Sequence, residues 1–216
     1  MKKLNQTSNL GSGCLLVFGL FWTGFACMFG LVPMIGGIGL FLSSEDLLGT
    51  VLALCMPSLF SIPFIVVGIV LIAIGVRPII AGMRVSQPEV SISNDTLRVG
   101  EEFTVIYQQM FKSATDVKRI AYNFVLRETA RYRRGTDTVT VTHENNVDGY
   151  EHGARRFESG EMFNDRRTFR IPREAMHTFE VSNNKLNWLL KVHVELEGWP
   201  DFQQEYEIKV TPEMAR

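Results

Sequence analysis

The chain has 216 residues, enough for one ordinary domain and an appendage, and its 22 Lys and Arg nearly cancel its 23 Asp and Glu. That balance excludes nucleic-acid binding driven by bulk charge. Its three cysteines, Cys14, Cys27 and Cys55, all precede the polar part, which therefore holds neither a disulfide framework nor a cysteine zinc site.

The average conceals two unlike halves. No charged side chain stands between Asn5 and Ser44, none again between Leu47 and Val76, and nearly all the charge lies in 77–216. After a short tail, 1–13, the runs 14–42 and 51–76 each exceed the roughly 20 apolar residues that cross a bilayer core, and neither has the polar stripe of a soluble helix. Pro33, Gly36, Gly37 and Gly39 predict a kink or an early end in the first run; in the second, Pro57 and Pro63 leave Phe60–Val76 as the cleanest crossing. The first run is too long for a secretory signal, and no small-residue cleavage site follows it. The expectation is a transmembrane helix hairpin over 14–76. Lys2 and Lys3 before it, Arg77 and Arg84 after it, and a connecting loop without Lys or Arg predict both ends in the cytosol and the loop outside. The interior carries no ionisable residue that would mark an ion path, and Ala26-x-x-x-Gly30 is a candidate site of close helix contact.

A linker is expected over 77–87. From there the period changes to two. Strands are predicted at 89–93, 103–109, 117–134, 136–143, 167–171, 185–196 and 204–210, with turns at 134–137, 145–149, 182–184 and 198–201. In the third, Ile120, Tyr122, Phe124 and Leu126 face the core; in the fourth, Val139 and Val141 oppose a row of threonines. In the sixth, Leu186, Trp188, Leu190, Val192 and Val194 share the buried side. Seven strands in about 125 residues predict an antiparallel sandwich of immunoglobulin-like kind over 88–212.

Little here has catalytic form. Glu144, Asn146, Asp148 and Gly149 imitate the start of a calcium loop, but Arg155 stands where the twelfth position needs an acid. His177 and His193 fall on either side of a turn and read as a hydrogen-bonding residue and an exposed strand residue, not as metal ligands. A catalytic reading would need His143, His152 and Asp201 to converge. Arg127, Arg131, Arg133 and Arg134 form the candidate interaction surface, to be weighed against ordinary cross-strand ion pairing.

The order of the later strands carries a resemblance. A strand ending in Phe169, Ile171 and Pro172 leads to Thr178, then to the strand holding Trp188, and closes at Val210; earlier, "LRVGEEFTV" (97–105) sets a Gly-Glu turn between strands. This resembles the arrestin-like β-sandwich, including the bacterial sporulation-control proteins of that fold, over about residues 88–212. Arrestins have two such sandwiches and no helical anchor, whereas this chain has room for one sandwich; its layout is similar to that of bacterial membrane proteins with a helix hairpin and a sandwich tail. The expectation is a membrane-anchored, non-catalytic adaptor or scaffold with no cofactor, no nucleic acid, and the lipid bilayer and another protein as partners. The alternatives are an accessory subunit assembling through its helices, with Ala26 and Gly30 at the contact, and an enzyme built on the sandwich loops.

Overall fold

The computed structural model describes residues 1–5, 10–41, 47–94 and 96–212, and side-chain surroundings outside 31–58. The chain divides into two compact units, one of 9–79 and one made of 1–8 together with 80–216.

The first unit is a pair of long helices. α1 spans Leu10–Phe41 and α2 Leu47–Arg84, about 48 and 57 Å of helix at 1.5 Å per residue. Both outlast the apolar limits read from the sequence. α1 passes Pro33 and the glycines after it without ending, so the early stop predicted there does not occur. α2 runs through Arg77 and Pro78 into what was expected to be linker. Hydropathy marks where the apolar surface stops, whereas the helix ends where its hydrogen bonding ends. The helices run antiparallel in close contact. A Cβ on Gly75 would lie 2.7 Å from the Leu16 backbone nitrogen, one on Gly19 2.9 Å from that of Ile72, and one on Gly68 3.1 Å from Thr23 Cβ.

The second unit is a sandwich. One sheet has the order β1-β2-β4-β8, from Lys2–Lys3, Glu89–Ile92, Glu102–Met110 and Met162–Arg170. The other has the order β11-β10-β5-β6, from Phe202–Ile208, Asn184–Leu196, Thr115–Arg134 and Asp137–His152; β7 (Arg155–Phe157) pairs with β5 and β9 (Phe179–Glu180) with β10. All these pairings are antiparallel. A short parallel pair joins β3 (Leu97–Arg98) to β12 (Val210–Thr211).

Period two fixes which side of each strand is buried. In β4, Phe103, Val105 and Tyr107 point inward; in β10, Leu186, Trp188, Leu190, Val192 and Val194 do. The inner faces meet through rings: Phe103 lies edge-on to Phe124, Phe124 stacks on Trp188 at 4.8 Å, and Tyr107 lies edge-on to Tyr122. Trp188 donates its indole N–H to the Met176 carbonyl at 3.0 Å, so its one polar atom is satisfied in the core. Thr178 ties down the closing strand: its amide donates to Val210 O, and its hydroxyl accepts from the Val210 amide.

Two features depart from the sequence reading. Within the tail read at 1–13, Lys2–Leu4 belong to the sandwich: β1 pairs with β2, and Leu4 is buried in the core. The turn expected at 145–149 is a β-bulge instead: β6 continues through it, and Val147 is the extra residue opposite Phe124 and Val125.

The last turn of α2 belongs to the sandwich unit. Ala81 and Val85 are buried there, Lys112 donates to the Gly82 carbonyl at 2.6 Å, and the Arg84 guanidinium lies 3.8 Å over the Trp199 ring while donating to Ser113. These contacts satisfy carbonyls and charge at a helix C-terminus.

Candidate functional site

The four arginines singled out in the sequence do not form one cluster. Arg127 lies on the outer face of the second sheet, opposite Glu144 on β6 and Asn187 on β10. It donates through Nε to Glu144 (2.6 Å) and through a terminal nitrogen to Glu205 (2.7 Å); Lys191 reaches the same two acids at 2.5 and 3.4 Å. Burial pulls the Arg127 pKa down, but the hydrogen bonds to Glu205 and Glu144 outweigh it and leave it raised. The hydrogen bond from Lys191, with that from Arg127, holds the Glu144 carboxyl below the usual range against the desolvation that raises it. This is a closed cross-strand network, with no charge left for a partner.

Arg131, Arg133 and Arg134 differ. β10 follows β5 in register only as far as Ala130, and the Arg131 amide still donates to the Asn183 carbonyl at 2.7 Å; past Arg131, β5 and β6 continue as a two-stranded ribbon. Residues 131–138 are all exposed, and among the described residues these three arginines have no ion-pair partner. Gly135, at φ +66°, turns the chain where a side chain would be strained. On the ribbon, directly paired residues share a face. Thr129, Arg131 and Arg133 stand with Thr142, Thr140 and Thr138; Ala130 and Tyr132 stand with Val141 and Val139 on the other face. Tyr132 and Val141 are about half exposed, so the alternation that predicted a buried row at Val139 and Val141 continues past the end of the core.

A second polar constellation was not read from the sequence. His152 Nε2 lies 2.5 Å from Asp165 Oδ2, and Arg167 Nε donates to the same oxygen at 2.9 Å. Tyr150 donates to the Thr168 carbonyl beside it, so β6 of one sheet is stitched to β8 of the other. Burial raises the Asp165 pKa, but the hydrogen bonds from His152 and Arg167 outweigh it, and the carboxyl is held below its usual range. Tyr122 OH is buried without a hydrogen-bond partner among the described residues; burial first, then the Asp165 charge, push its pKa up. Only the spacing of His152, Asp165 and Arg167 on strands that prove to be neighbours would have shown this group, and strand order is not written locally in the chain.

The residues a catalytic site would need stay apart. His143 and His152 lie nine residues along one strand, about 30 Å at 3.3 Å per residue. Asp201 pairs instead with His193 at 3.1 Å. Glu144, Asn146 and Asp148 are strand residues rather than a loop, and no group of three or more potential metal ligands converges among the described residues. Thr178, not His177, makes the hydrogen bonds expected after the Pro172 turn.

In the helix pair, Ala26 and Gly30 are buried, and a Cβ on Gly30 would meet the side chain of Ser61. Their closeness is used between α1 and α2. Gly19, Gly68 and Gly75 extend the same seam, which the single Ala26/Gly30 pair did not disclose.

No family model matches the chain, and no curated protein matches it. Among solved structures it is similar to Spo0M, a sporulation control protein from Bacillus subtilis, at 16% identity and a TM-score of 0.48. The match covers 59% of this chain and 49% of the other, so it spans about half the length of that protein.

Proposed function

We propose that the protein is a membrane-anchored, non-catalytic adaptor or scaffold: the helix pair crosses a bacterial plasma membrane, and the sandwich holds another protein at its cytosolic surface. The observation that carries this reading is the surface of the helices. Phe18, Phe21, Phe25, Phe29, Phe60, Ile62, Val66 and Ile69 are all largely exposed, and Gly11–Gly30 and Leu59–Arg84 are long and apolar enough to cross. A helix that is apolar all round needs either a protein core or a bilayer, and among the described residues most of this surface has no protein over it.

The strand made by Lys2 and Lys3 supports an even number of crossings. β1 and Leu4 pack into the same unit as residues from 80 onward, which favours a hairpin whose two ends meet the same compartment. Cleavage after the first apolar run would also remove an edge strand of the sandwich. The basic flanks favour the cytosolic side. The accessory-subunit alternative loses its assigned contact, since Ala26 and Gly30 are turned to the hairpin's own seam.

The test is extraction and crosslinking in native membranes. The protein should stay in the pellet after alkaline carbonate and enter detergent, and a crosslinker on the sandwich should capture a protein partner. Release by carbonate would overturn the anchor; an anchored protein that captures nothing would overturn the adaptor.

A further inference from the structure

The outer edge of β6 is open. Among the described residues β6 pairs only with β5, so the other side of Asp137–His152 presents unpaired backbone donors and acceptors. Open edges are ordinarily guarded by lysine, proline, a bulge or brevity. The segment Thr138–Thr142 reads Thr-Val-Thr-Val-Thr, strongly strand-forming and uncharged, and the bulge lies well beyond it at Val147. Its two faces differ in chemistry: threonines backed by Arg131 and Arg133 on one, Val139 and Val141 backed by Tyr132 and Ala130 on the other.

We propose that the edge of β6 over Thr138–Thr142 takes an extended protein segment as an added strand, one in which apolar residues alternate with Asp or Glu. The apolar side chains would extend the Val139, Val141 and Tyr132 face. The acids would stand beside the threonines, two strand spacings (about 9.6 Å) from the β5 backbone. An arginine side chain lying over a threonine spans that gap to a carboxylate, and Arg131 and Arg133 have their charge free to do so. Backbone pairing supplies affinity and the alternation supplies selectivity. This rests on the adaptor reading and names its site and partner chemistry.

Two other occupants fit less well. A second copy would bring a further arginine row and no acid to meet it. A lipid surface presents no backbone amides or carbonyls to continue the ladder.

The probe is a fluorescent seven-residue peptide of alternating Glu and Val, titrated by anisotropy against the full chain in detergent. Controls are a Lys/Val peptide and a Glu/Val peptide with its central amides N-methylated. The Glu/Val peptide should bind, both controls should bind at least tenfold more weakly, and the protein variant R131E/R133E should invert the Glu/Lys preference. These are exposed side chains, and unchanged circular dichroism shows that the variant folds. Equal binding of the Glu and Lys peptides, or of the N-methylated one, overturns the proposal. So does a doubling of mass in sedimentation that Val141→Lys abolishes, which gives the edge to a second copy. So does arginine-dependent binding of phosphatidylglycerol vesicles without peptide discrimination, which gives it to lipid. If R131E/R133E leaves membrane crosslinking to a protein partner unchanged, the edge proposal fails while the adaptor reading stands; if wild type crosslinks to nothing, the adaptor reading itself fails.

Discussion

Trp188→Ala should be the most damaging single change in the sandwich. The side chain is fully buried, stacks on Phe124 at 4.8 Å and donates to Met176 O. Truncating a buried tryptophan costs about 3–5 kcal/mol in transfer and cavity terms. The lost aromatic pairing adds to that by about 0.5–1.5 kcal/mol. Against a total of about 5–15 kcal/mol for a domain, that is a large share. With a urea slope of about 1–3 kcal/mol per molar, the unfolding midpoint should fall by about 2 M. Pulse proteolysis of the full chain in detergent reads this without relying on tryptophan fluorescence. Trp188→Phe keeps most of the volume and loses the hydrogen bond, so it should cost about 1–2 kcal/mol. A shift below about 0.5 M for Trp188→Ala, or a Phe variant as unstable as the Ala variant, would refute Trp188 as the centre of the core.

In a variant lacking the native cysteines, oxidation should link Gly30→Cys to Ser61→Cys; adding Gly75→Leu, whose Cβ would strike the Leu16 backbone, should cut that link severalfold, while Gly24→Leu, with open space at its Cβ, should not. Asp165 has a lowered native pKa, so its stabilising contribution is complete above the usual aspartate range near 4 and is lost as pH falls through the lowered value. Urea midpoints between about pH 5 and 2 should therefore fall less steeply in Asp165→Asn, with the slope due to Glu144 remaining. Arg127→Ala breaks the outer-face network and should lower the unfolding free energy read from urea titration by about 1 kcal/mol for so partly exposed a group, whereas Arg133→Ala, on the ribbon, should leave it within about 0.5 kcal/mol of wild type.

The sandwich was legible where one face of a strand is covered and the other is wet. In β10 the five residues assigned inward from period two all lie in the core, joined there by Leu196, while Asn187 and Leu189 are buried on the opposite face as well. Reading failed where alternation and burial part company. Val139 and Val141 alternate correctly, yet sit on a ribbon that outruns its sheet. The 145–149 segment has turn composition, but the ladder absorbs it as one extra residue. The two-residue β1 is too short for any period, and its partner lies almost ninety residues away. The helix pair was legible as apolar rods, but its seam was read only at Ala26 and Gly30, because Gly19, Gly68 and Gly75 gain meaning only once the helices' register is known. Arg127 differs from Arg131 and Arg133 in the strand opposite it and not in local sequence; β10 and β11 bring Lys191 and Glu205 to the first and stop short of the others.

Cysteine accessibility tests the anchor most directly. In a background without native cysteines, single cysteines at Lys2, at Ser44 between the helices and at Asp201 in the sandwich would be labelled with a membrane-impermeant maleimide on intact and on permeabilised cells. The account predicts that Ser44→Cys is labelled from outside, and that Lys2→Cys and Asp201→Cys are labelled only after permeabilisation. Labelling of Lys2→Cys and Asp201→Cys on opposite sides, or recovery of the protein in the soluble fraction, would contradict it.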